Sequence, residues 1–103
     1  MKAKVLEDFK ATPSVCIVRL KPEKPIDHRP GQFIRVLIQK GDFFVAKLYS
    51  VVSPPSKKDF IELCIKIVPS GFVSNYMSGL KSGDTIDIEG AYGHFVLREP
   101  VKN

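Results

Sequence analysis

The chain has no tryptophan and only two cysteines and two histidines in 103 residues, and each shortage closes off a class of chemistry. Cys16 and Cys64 each sit in an apolar stretch, too few for the disulfide framework of a small secreted domain, and read as reduced thiols. His28 and His94 are far apart, with no carboxylate or thiol at metal-ligand spacing, so no metal site is expected. None of Ser50, Ser53 and Ser74 lies in a nucleophile-elbow pattern, which leaves hydrolase chemistry without support. A Walker-type Gly-Lys-Ser/Thr loop and a Gly-x-Gly-x-x-Gly turn are both missing, so the chain carries no ATP or nicotinamide fingerprint of its own. No apolar run approaches the roughly 18 residues of a membrane helix. The start MKAKVLEDFK alternates apolar and charged residues where a signal peptide would have an apolar core, so a cytoplasmic location without a membrane span is expected.

What is present suits one small globular domain: 44% hydrophobic and 26% charged residues, in a length that serves a single core. Sixteen Lys and Arg against eleven Asp and Glu give +5, but the lysines are scattered from Lys2 to Lys102, and Lys57-Lys58 is the only adjacent basic pair. That is no nucleic-acid tail. A positive balance does raise the local concentration of phosphate-bearing small molecules and acidic proteins.

Seven Gly and eight Pro punctuate short runs, clustering at residues 21–30, 40–42, 53–59, 69–71 and 81–84. Within residues 60–68, Ile61, Leu63, Ile65 and Ile67 alternate with Glu62, Cys64 and Lys66, the period of a strand buried on one side. Similar readings predict strands over residues 2–9, 15–20, 32–39, 45–52 and 84–89. The expected fold class is all-β. Six antiparallel strands with one apolar face each cover that face and their edges by closing into a small barrel. Phenylalanines in runs such as Asp42-Phe43-Phe44-Val45 read as core. One segment differs: Val73, Tyr76, Met77 and Leu80 are three and four apart, which predicts a two-turn helix over 73–80.

Two segments could carry chemistry. In Lys47-Leu48-Tyr49-Ser50, strand alternation sends Lys47 and Tyr49 to one side and Leu48 and Ser50 to the other. A cation beside an aromatic ring can pair with a phosphate and stack on a planar group; the plain alternative is an exposed lysine next to a half-buried tyrosine on a barrel wall. Gly71-Phe72-Val73-Ser74 enters the helix, whose free N–H groups suit an anion, unless Gly71 only makes the turn and Ser74 only starts the helix.

Taken in order, Pro30-Gly31-Gln32-Phe33, Lys47-Leu48-Tyr49-Ser50, Leu63-Cys64-Ile65-Lys66, Gly71-Phe72-Val73-Ser74 and the run from Gly83 through Gly90-Ala91-Tyr92-Gly93-His94-Phe95 resemble the flavin-binding domain of the ferredoxin-NADP reductase and NAD(P)H-flavin oxidoreductase family. The resemblance implies a six-stranded antiparallel Greek-key barrel with one short helix, holding FAD, or FMN in some branches. It implies that Tyr49 packs on the flavin and Ser50 lies near its N5, the two being the catalytic pair. Lys47 stands where the family has an arginine paired with the cofactor phosphate, a point charge in place of a planar fork. Leu48 lies between these residues, Cys64, Ile65 and Lys66 flank the ring system, and the turn of Gly71, Phe72, Val73 and Ser74 presents N–H groups to the pyrophosphate. Ala91 replaces a usual proline, which removes no proposed ligand.

By the same resemblance, residues 1–103 are a single FAD-binding barrel, with the NAD(P)-binding domain absent from this chain. The implied function is a flavin-binding electron-transfer module of an NAD(P)H-dependent oxidoreductase. Hydride arrives at flavin N5 from a nicotinamide-binding domain or subunit, and electrons leave to an acidic electron-transfer protein such as a ferredoxin, or to an iron-sulfur or similar acceptor. The alternative is a small basic β-barrel binding RNA or an acidic protein without a redox role. Single-strand binding wants exposed aromatics interleaved with basic residues, so nucleic acid is not the expected partner.

Overall fold

Period-two alternation produces six strands: β1 (Lys2–Thr12), β2 (Val15–Pro22), β3 (Phe33–Lys40), β4 (Phe43–Val51), β5 (Ile61–Lys66) and β6 (Thr85–Tyr92), with one helix, α1 (Phe72–Ser78), between β5 and β6. The computed structural model describes residues 1–29, 31–54, 56 and 59–92; Pro30, the Lys57-Lys58 pair and the Gly93-His94-Phe95 end of the last motif lie outside them. The strands close into an antiparallel barrel in the order β1-β2-β5-β4-β3-β6. The steps from β2 to β5 and from β3 to β6 skip sequence neighbours, the mark of a Greek key.

Every strand contributes its inward row to one core, in which Leu20, Ile34, Ile61, Leu63, Ile65 and Ile88 are fully buried. Helix α1 plugs one end of the barrel with Met77, Val73 and Ser74. Tyr76, expected on that apolar stripe, is 44% exposed, and the helix ends at Ser78 because the Gly79 N–H turns back to the Tyr76 carbonyl, 3.1 Å away. Leu80 beyond the helix is still buried.

Two strands depart from the sequence expectation for local reasons. In β1 the register with β2 slips between Val5 and Glu7, so the inward row passes from Ala3 and Val5 to Asp8, a carboxylate carried into the barrel end by a bulge. In β4 the expected core position of Phe43 and Phe44 is corrected: they are 61% and 58% exposed. The two-residue turn Gly41-Asp42, with Gly41 at φ +62°, lets β3 and β4 pair to Lys40↔Phe43, and the hairpin extends past the end of the core.

Candidate functional site

Strand β5 runs against β2 without interruption, from Val15↔Lys66 to Leu20↔Ile61, but meets β4 only at Ser50↔Cys64 and Val51↔Leu63. Beyond that point the two strands are no longer paired, with Lys47–Tyr49 on one side of the parted seam and Ile65 and Lys66 on the other. Helix α1 follows β5 and packs against both strands.

The inward row of β4 changes character along this seam. Val51 and Tyr49 are buried, Val45 is half-buried, and Lys47 and Phe43 are exposed. Lys47 and Tyr49 therefore share a side, as the alternation predicts, but Tyr49 belongs to the core and is only 6% exposed. Its Oη has no hydrogen-bond partner among the described residues. Burial, with the Cys16 thiol as the next influence, pushes the Tyr49 phenol up to about 12. Cys16, fully buried on β2, is pushed up to about 11 by burial and by the nearby Asp8 carboxyl. Asp8 Oδ2 is likewise buried and unpartnered among the described residues.

Leu48 and Ser50 are exposed on the outer face of β4, where Ser50 stands between Phe33 of β3 and Cys64 of β5. Cys64 is half-buried, Ile65 lies wholly in the core, and Lys66 is exposed at the strand end.

Past β5 the chain makes a tight, internally bonded turn. Ser74 Oγ accepts the Val68 N–H at 3.0 Å, and the Asn75 amide donates to the carbonyls of Val68 and Gly71 at 2.8 and 2.7 Å. The Ser74 hydroxyl thus builds the turn and is buried within it. Gly71 is closely surrounded: an added Cβ would stand 2.9 Å from Ser74 Oγ and 3.1 Å from Val68 Cβ, so the Ser74 side chain that builds the turn would have to shift. Phe72, the first helical residue, is 37% exposed, whereas Val73 is buried. The opening N–H groups of the helix have no carbonyl within it to accept them.

Two features meet at this seam, strand edges that part and a buried hydroxyl without a partner among the described residues, and the chain leaving β5 enters α1 through the tight Gly71 turn. Groups of that kind fit a flavin nucleotide, which brings a flat apolar ring, polar ring atoms and phosphates. Sequence reasoning singled out the residues of β4, β5 and the turn that stand here. It missed Cys16 near Tyr49 and Asp8 near Cys16, although the adjacent apolar pair Val5-Leu6 within an alternating strand is the signal of a register shift. It also missed Lys40, whose Nζ lies 4.9 Å from the Phe72 ring centre. His28 is buried between the carbonyls of Ile26 and Ser53, at 3.3 and 3.2 Å, and ties the loop before β3 to the loop after β4. Among the described residues, no cluster of His, Cys, Asp and Glu could hold a metal, and no helix is long and apolar enough to cross a membrane.

Comparison with known proteins points the same way. The family model for oxidoreductase FAD-binding domains matches residues 2–97. The reductase component 2 of a terephthalate 1,2-dioxygenase from Comamonas is 35% identical over 100 residues, covering 93% of this chain and 28% of that protein. Among solved structures, the ferredoxin reductase in carbazole 1,9a-dioxygenase aligns with a TM-score of 0.79 at 28% identity, over 90% of this chain and 28% of the other. A ferredoxin NADP+ reductase from Neisseria gonorrhoeae with bound FAD and NADP aligns at 0.76 with 26% identity, over 94% of this chain and 39% of the other. The chain thus spans less than a third of the length of the terephthalate dioxygenase relative, at 28%. These matches favour the flavin reading over a basic interaction module.

Proposed function

Because this chain belongs to the oxidoreductase FAD-binding domain family, we propose that its β4–β5 trench holds FAD and that it serves as the flavin-bearing electron-transfer module of an NAD(P)H-dependent oxidoreductase. The observation that carries this reading is the parting of β4 from β5 beside the unpartnered Tyr49 hydroxyl. When bound, FAD supplies acceptance of a hydride at flavin N5 and release of the electrons to a one-electron acceptor.

The chain's own residues bind, orient and exclude water. Tyr49, buried in the core, backs the flavin slot from within and carries a hydroxyl that has no partner among the described residues. Ser50 offers a hydroxyl on the exposed side of β4, next to Cys64. Leu48, Cys64 and the stem of Lys66 offer apolar surface on either side of the seam, with Ile65 in the core behind them. Lys47, exposed on the trench, neutralises phosphate charge as a point cation. The turn of Gly71, Phe72, Val73 and Ser74 brings backbone N–H groups to the phosphates, with Ser74 holding the turn in shape.

NADH or NADPH is bound by a nicotinamide-binding domain or subunit outside residues 1–103. The net charge of +5 favours an acidic electron acceptor such as a ferredoxin, in a cytoplasmic setting.

The test is flavin uptake. Protein mixed with FAD and desalted is expected to stay yellow with about one flavin per chain, and flavin fluorescence titrations should show weaker binding as salt rises. Protein that emerges colourless and leaves flavin fluorescence unchanged overturns the proposal.

A further inference from the structure

We propose that His28 is a proton-operated latch on the closed end of the β4–β5 seam: doubly protonated, its ring ties the loop before β3 to the loop after β4, and loss of one proton releases that tie. The device belongs to the fold and works whether or not a flavin is bound.

The His28 ring is buried, at 5% exposure, with a carbonyl oxygen at each nitrogen. The Ile26 oxygen lies 3.3 Å from Nδ1, and the Ser53 oxygen lies 3.2 Å from Nε2. A carbonyl can only accept. A neutral imidazole has a single N–H, so in either tautomer the other nitrogen turns its lone pair on an oxygen. Only the imidazolium, with an N–H on each side, satisfies both carbonyls. Its charge is then met by two charge-assisted hydrogen bonds, which are stronger than neutral ones and offset the cost of burial.

The charged side chains on the adjoining segments lie toward solvent or are engaged elsewhere. Glu23, Lys24, Asp27 and Arg29 before β3 and Asp59 after β4 are exposed, and Glu62 of β5 is held by Arg19 at 2.8 Å. The partners that the geometry gives the ring nitrogens are thus backbone carbonyls, whose charge does not change with pH.

This tie grips the place where the seam closes. Strand β4 pairs with β5 at Ser50↔Cys64 and Val51↔Leu63 and nowhere else. Directly beyond, the Val52 N–H donates to the Glu62 carbonyl at 2.8 Å, and the Ser53 hydroxyl accepts the Glu62 N–H at 3.0 Å. Toward the other loop, the Val51 N–H donates to the Gln32 carbonyl at 3.0 Å, and the Gln32 side-chain oxygen accepts the Arg29 N–H at 2.7 Å. His28 closes this circuit between Arg29 and Ser53. Its two bonds are not equal: the one to Ile26 spans two residues and the one to Ser53 spans 25. The local contact orders little chain, so the neutral ring keeps Ile26 and gives up Ser53.

NMR of the flavin-free chain tests this. At about pH 5.5, below the usual histidine titration, both ring nitrogens of the histidine signal that vanishes in His28→Phe should carry a proton; at about pH 8 only Nδ1 should. Over the same range the Val52 and Glu62 amides should exchange about tenfold faster relative to Ile67, the effect of losing one hydrogen bond from a charged donor. The Ile67 N–H donates to the Ser14 carbonyl at 2.7 Å at the far end of β5, and taking the ratio cancels the intrinsic pH dependence of exchange. His28→Phe keeps a ring in place but has no proton to lose, so it should show the fast ratio at both pH values. A bare ring nitrogen at pH 5.5, a ratio that is the same at both pH values in wild type, or a pH step that survives in His28→Phe overturns the latch and leaves the flavin reading untouched. If His28→Phe does not fold, the wild-type ring and exchange measurements decide the matter. Failure to take up flavin removes the earlier proposal and not this one.

Discussion

The two flanks of β5 contrast sharply. On the β2 side, every step of the strand is paired, and the inward side chains Val18, Leu20, Leu63 and Ile65 have no exposed surface. On the β4 side, pairing stops after Ser50↔Cys64, and the residues beyond it pass from core to solvent within a few positions. A closed barrel exists to abolish free strand edges, which otherwise invite pairing with other chains. An edge left open inside such a barrel calls for something to cover it, which on the proposed reading is the flat ring of a flavin. The paired flank makes the molecule fold; the parted flank is where it can act.

The largest expected effect tests the paired flank. Leu20→Ala removes a fully buried side chain that lies opposite Val5 and Ile61. Urea unfolding followed by circular dichroism should show a loss of about 2–5 kcal/mol. FAD affinity per folded molecule should not change. A loss of flavin affinity equal to that of trench variants would mean that the two flanks are not separate.

The parted flank should respond in the opposite sense. Tyr49→Phe deletes a buried hydroxyl that has no partner among the described residues. Leaving such a group unsatisfied costs about 1–3 kcal/mol, so the variant without FAD should be more stable than wild type by about 1 kcal/mol. With FAD present the order should narrow or reverse, since a ligand bound only to the native state stabilises by mass action and Tyr49→Phe weakens that binding. Destabilisation of the free chain by Tyr49→Phe would show that the hydroxyl already has a partner, and would sharpen the contrast against the trench.

The same contrast explains what the sequence could and could not reveal. Alternation depends on nearest neighbours, so it located all six strands and correctly placed Lys47 with Tyr49 and Leu48 with Ser50. Exposure along β4 depends on where a distant strand stops pairing, which no local pattern records. Hence the burial of Tyr49, the solvent exposure of Phe43 and Phe44, and the approach of Lys40 to Phe72 all came from the fold. Ser74 is a middle case: its place at the start of the helix was legible, but its hydroxyl is used within the turn because Val68 folds back onto it. Asp8 was hidden by the bulge in β1, which reverses the parity on which the alternation argument relies.

Asp8 also gives the smallest effect, and one that separates the barrel end from the trench by pH. Burial pushes its carboxyl from 3.8 to about 6, opposed by hydrogen bonding to the Leu80 backbone and to the Cys16 thiol. The folded chain therefore keeps a proton, between about pH 4 and 6, that the unfolded chain has released. The stability this group contributes is fully present below pH 4 and is lost as pH rises through 6, after which it stays flat. Because Asp8 is only half-buried, solvent screens much of the penalty, and the change should stay below about 1 kcal/mol. Asp8→Asn cannot ionise, so subtracting its urea midpoints at pH 4, 6 and 8 from those of wild type cancels every other carboxylate. The wild type should lose ground to the variant across that range. If it gains ground instead, the carboxylate is stabilised by a charge or donor at the barrel end, and Cys16 and Tyr49 lie in a polar pocket continuous with the trench.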